Sequence, residues 1–81
     1  MIEGKQIRAA RALLDIKQGD LARLAGVSLL TVKRFEKASD AIAGRPKTIE
    51  AIQRALEGRG IEFIEENGGG PGVRLRKRGR R

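Results

Sequence analysis

The chain has 81 residues, with 18 basic against 10 acidic side chains and no cysteine, histidine, tryptophan or tyrosine. That length holds one small domain burying only about 60% of its unfolded surface, while the absent cysteines and histidines exclude a disulfide frame, a thiolate metal site and the usual proton shuttle near neutral pH. Residues 72–81 carry six of the basic side chains, so 12 basic face 10 acidic elsewhere and most of the +8 net charge lies in a tail.

The periodicity predicts a first helix over residues 3–15, with Ile7, Ala10, Leu14 and Leu13 spaced to face a core and Lys5, Arg8 and Arg11 on the outer face. A second helix is predicted over residues 18–25 and a third over residues 29–37, with Ser28 as N-cap, because its hydroxyl can accept from a free amide of the first turn. A loop over residues 38–46 ends at Pro46, and a fourth helix over residues 48–57 aligns Ile49, Ile52 and Leu56 before Gly58 or Gly60 stops it. Two β-prone runs follow, IEFI over residues 61–64 and residues 73–75, separated by EENGGGPG. They read as a hairpin with an unusually long loop. Since a lone hairpin is marginal in water, Phe63 and Val73 must pack on helix four, or the strand edge must pair with a second copy.

Residues 18–37, QGDLARLAGVSLLTVKRFEK, carry the strongest signal. Ala22 is small enough to let a second helix pack closely, and Gly26 supplies the backbone freedom of a tight turn. Leu21, Ala25, Val27, Val32 and Phe35 form one apolar seam. The polar outer face holds Lys33, Arg34 and Lys37, which places positive charge where a phosphate backbone would meet it. The stretch therefore reads as a helix-turn-helix that presents its second helix to DNA; the competing reading is an ordinary αα-hairpin.

All twenty positions resemble the helix-turn-helix of the Cro/phage-repressor (XRE-type) regulators, including the small residue at the fifth position, Gly at the ninth and the aliphatic residue at the fifteenth. The ending GIEFIEENGGGPGVRL is also similar to that of short members of the family. The resemblance implies a mainly α fold, a compact four-helix lambda-repressor-like DNA-binding bundle with a C-terminal β-hairpin in place of a fifth helix. It implies a cytoplasmic, nucleoid-associated bacterial or phage protein. No apolar run approaches the ~18 residues of a membrane span, and the first residues lack a secretory pattern.

In such a motif the start of the second helix enters the major groove. Leu29, Leu30, Lys33 and Arg34 face away from Val32 and Phe35, and by resemblance Leu29, Leu30 and Arg34 occupy the positions that most often read bases. Arg34 is suited to donate two hydrogen bonds to guanine, whereas Leu29 and Leu30 can offer only apolar contact, as to thymine methyls. Leu30 has the alternative of packing into a core or partner. Ser28 and Thr31 divide between capping and DNA contact. Gln18, at the start of the second helix, can grip a phosphate; Lys17 takes the place of the family's usual N-cap. Lys37 suits both a phosphate and the helix dipole, and the resemblance puts backbone contacts at Arg45 and Lys47. It also implies a structural Arg11–Glu36 pair, the rival being an exposed Arg11 on a phosphate.

These readings divide the chain into a DNA-binding part (residues 1–60), a hairpin available for dimerisation (61–76) and a basic tail (77–81). The expected activity is a homodimeric transcriptional repressor acting on double-stranded DNA without cofactor or metal. Nothing indicates an enzyme: the two serines lack a neighbouring base, and Glu65 and Glu66 solubilise a turn. The alternatives are the antitoxin subunit of a toxin–antitoxin pair, with a bound second protein, and a non-specific nucleic-acid-binding protein driven by the tail. Only Phe35 and Phe63 are aromatic, which argues against base stacking and RNA recognition.

Overall fold

The computed structural model describes residues 2–37 and 46–76. Its elements run α1 (Gly4–Leu14), α2 (Gln18–Ala25), α3 (Leu29–Lys37), α4 (Pro46–Glu57), β1 (Ile61–Ile64) and β2 (Gly72–Leu75). The expected loop, with Arg45, and the tail over residues 77–81 lie outside the described residues.

Both α1 and α2 end in the same hydrogen-bonded cap. After α1, Asp15 N–H donates to Ala12 O and Ile16 N–H to Arg11 O; after α2, Gly26 N–H donates to Arg23 O and Val27 N–H to Ala22 O. This cap needs a left-handed residue at its corner, and Asp15 (φ 59°) and Gly26 (φ 72°) supply it. The following apolar residues, Ile16 and Val27, fold back against the core. α4 begins at Pro46, two residues before the sequence-based start, because proline suits the first helical position, where no intrahelical N–H bond is lost.

One apolar core joins all the helices and the hairpin. Ile7 and Ala10 from α1, Leu21 and Ala22 from α2, Val32 and Phe35 from α3, and Ile49, Ile52 and Leu56 from α4 meet Ile2 and Ile61. Leu14, Ala25 and Val27 are half-buried around it. Leu13 departs from expectation: it is 43% exposed. At about 100° per residue it lies roughly 90° from the centre of the stripe made by Ile7, Ala10 and Leu14, so burying it would turn the fully buried Ile7 outward.

β1 and β2 pair antiparallel with Ile61 opposite Leu75 and Phe63 opposite Val73. Phe63 and Val73 pack against the core, and the hairpin contacts α1 as well as α4. Gln6, a buried residue, ties the two parts together: its side-chain amide nitrogen donates to Ile64 O (3.3 Å) and Gly72 O (2.9 Å), and its oxygen accepts from Glu3 N–H (2.8 Å). In the connecting loop, Glu66 Oε2 accepts from Gly68 N–H (2.9 Å) and Gly70 N–H (3.2 Å). Glu66 thus shapes the turn as well as solubilising it.

Candidate nucleic-acid interface

α3 packs Val32, Phe35 and Glu36 inward and leaves Leu29, Leu30, Lys33, Arg34 and Lys37 exposed. Its first turn is fixed by Ser28, whose Oγ accepts from Thr31 N–H (3.1 Å) and lies 2.8 Å from Thr31 Oγ1. Both hydroxyls therefore serve the cap, and Ser28 reaches outward only through what that pairing leaves free. Leu30 is 63% and Leu29 42% exposed, so within this chain neither packs into the core.

Behind α3 lies a polar cluster centred on Glu36, only 3% exposed. Its carboxylate accepts a two-pronged bond from Arg11, Nε to Oε2 at 2.7 Å and an Nη to Oε1 at 2.9 Å. Arg11 also donates to Ile16 O (3.2 Å), the residue closing the α1 cap. Arg11 is half-buried rather than free for a phosphate. Its guanidinium is held above its ordinary pKa chiefly by the hydrogen bond to Glu36, with burial opposing.

Gln18 completes the cluster by donating from its amide nitrogen to Glu36 Oε1 (2.9 Å). Its side chain thus joins the start of α2 to α3. The backbone N–H of Lys17, just before α2, donates to Asp20 Oδ2 (2.9 Å), which supplies one half of a capping box; Lys17 itself offers no side-chain acceptor to the first-turn amides.

Arg8, read from sequence only as outer surface, donates to the carbonyl of Glu36. It satisfies one of the last-turn carbonyls of α3 and places a cation at the negative end of that helix. The available signal was its three-residue spacing from Arg11, which puts both on the same face of α1.

Arg8, Gln18, Leu30, Lys33, Arg34, Glu36 and Lys37 line one shallow depression of about 580 Å³. The structure thus gathers five of the sequence-derived site residues beside the bracing pair; Leu29, Ser28 and Thr31 sit along the first turn of α3. Lys47 is exposed at the start of α4 and does not line the depression. Ion pairs among the described residues engage Lys5, Arg11, Arg23 and Arg74, so the three α3 cations take no part in them. No helix among the described residues is long and apolar enough to cross a membrane.

Over 51 residues, 63% of its length, the chain is 37% identical to a protein of Archaeoglobus fulgidus named "Putative HTH-type transcriptional regulatory protein". The matched stretch spans 16% of that relative's length. No family model matches the chain. Over part of its length, the chain is similar to a helix-turn-helix regulator.

Proposed function

We propose that the chain is a sequence-specific, double-stranded-DNA-binding transcriptional regulator of the Cro/phage-repressor type, acting as a homodimeric repressor without a cofactor. The observation that carries this reading is α3 itself: its inner face is anchored by Val32, Phe35 and Glu36, while Leu29, Leu30, Lys33, Arg34 and Lys37 stand exposed along the outer face. Such a helix fits the major groove, its N-terminal residues at base edges and its cations near phosphates. The similarity to a protein named as an HTH-type regulator supports the same reading.

In this account Arg34 reads guanine, Lys33 and Lys37 neutralise phosphates, Ser28 and Thr31 hold the first turn, and Gln18 positions α3 from the start of α2. Lys47 and Arg45 flank the start of α4 as backbone contacts, and the tail adds affinity without sequence preference. Residues 1–60 carry DNA binding and the hairpin over residues 61–76 carries dimerisation. Leu75, 44% exposed at the end of β2, is an apolar side chain open to such a contact, whereas Ile61 is buried in the core. Two copies would set their α3 helices about 34 Å apart on a near-palindromic site.

Selection of bound duplexes from a random library tests this. A recovered motif with two half-sites separated by about one helical turn is the expected result; recovery of unrelated sequences would overturn it.

A further inference from the structure

Leu30 and Arg34 are four residues apart on α3, hence on one helix face and about 6 Å apart along its axis. Both line the depression described above. Leu30 is the most exposed of the large apolar side chains among the described residues, and the Ser28–Thr31 cap fixes the turn that carries it. An isolated exposed leucine is ordinary. This one, in the first turn of α3, shares a helix face with the guanidinium of Arg34 one turn further on.

The edges of unmodified bases offer one methyl group in the major groove, on C5 of thymine, and guanine offers the O6/N7 pair that a guanidinium grips. Cytosine methylated at C5 presents its methyl at the same ring position as thymine. Neighbouring base pairs are about 3.4 Å apart, so the C5 methyl of a pyrimidine on the 5′ side of a guanine lies next to a guanidinium bonded in that guanine's plane.

We infer that Leu30 and Arg34 together read a 5-methylpyrimidine–guanine step, TpG or 5-methyl-CpG, with Leu30 covering the methyl and Arg34 holding the guanine. The inference rests on the DNA-binding reading of α3 and adds a consequence: at a CpG-containing site, affinity rises when the cytosine carries a methyl group. Leu29, on a different face of the helix turn, is not required for it.

The test uses the full chain and duplexes recovered from the random library. Their motif should contain a TpG step in each half-site. Replacing that thymine by deoxyuridine, which lacks only the methyl, should weaken binding about three- to five-fold, as expected for one methyl-sized group returned to water. In the same position 5-methylcytosine should bind about three- to five-fold more tightly than cytosine. Leu30→Ala should bind the thymine and deoxyuridine duplexes equally; because the side chain is exposed, its thermal melt should match the parent's. Equal binding of thymine and deoxyuridine by the parent chain, or a methyl effect that survives in Leu30→Ala, would overturn the inference while leaving sequence-specific binding intact. Failure to enrich any duplex would overturn both readings.

Discussion

Glu36 is a carboxylate almost wholly removed from water, and Arg11, Gln18 and Arg8 all converge on it or on its carbonyl. A buried ion pair adds little by replacing two apolar groups, but removing one partner leaves an uncompensated charge and costs about 3–5 kcal/mol. For a chain of this size, total stability is on the order of 4–12 kcal/mol, so Arg11→Ala should melt tens of degrees lower or fail to fold in a calorimetric scan. Arg11→Ala combined with Glu36→Leu should recover much of the loss; an unchanged melt for Arg11→Ala would mean that the pair does not brace the fold. Because its folded-state value is raised, Arg11 contributes stability that is present below its unfolded pKa and lost only as pH rises through the folded one. Both lie above the working range, so melts at about pH 6 to 9 should show no loss attributable to Arg11. The sequence resemblance implied the Arg11–Glu36 pair. It did not give Gln18 its carboxylate partner or Arg8 its carbonyl, because both depend on how closely α1 and α2 approach α3, a distance that periodicity within one helix does not encode.

At the level of elements, α2 and α3 have the boundaries expected from sequence, because each start and stop is marked locally: Ser28 before α3 and Gly26 after α2. Where the marker is weaker, the expected and observed boundaries differ. Asp15, expected as the last residue of the first helix, is instead the left-handed corner of its cap. An acid there also opposes the helix dipole. Asp15→Gly should therefore raise stability by about 0.5–1 kcal/mol, measured by urea unfolding; a loss would mean that Asp15 makes a contact that offsets its backbone strain. The reverse change at the matching corner, Gly26→Ala, meets no atom that a Cβ would strike. Its cost should be the left-handed backbone alone, about 1–2 kcal/mol, checked by the same unfolding curve. The hairpin strands were legible as β-prone runs. Their anchorage through Gln6 was not, since a glutamine on a helix face gives no sign that it will reach two strand carbonyls more than fifty residues away.

For the whole molecule, one core spans helices and hairpin, and most of the net charge lies in the chain's basic end, with Lys33, Arg34 and Lys37 exposed on α3. Phosphate contacts release counterions, so the logarithm of the binding constant should fall by about 0.9 per contact for each unit in the logarithm of salt concentration. Deleting residues 77–81 should flatten that slope and weaken binding to every duplex by a similar factor, with the preference for the selected site retained. Loss of the preference together with the affinity would favour a binder driven by its tail.

The most direct measurement of the central claim compares affinity for the selected duplex and for a scrambled duplex of the same length and composition, with the parent chain and with Arg34→Ala. The exposed guanidinium on α3 predicts a clear preference in the parent that falls by about 1–3 kcal/mol in the variant, an amount typical of one guanine contact, with no change in thermal melt. A preference that Arg34→Ala leaves intact would contradict the account.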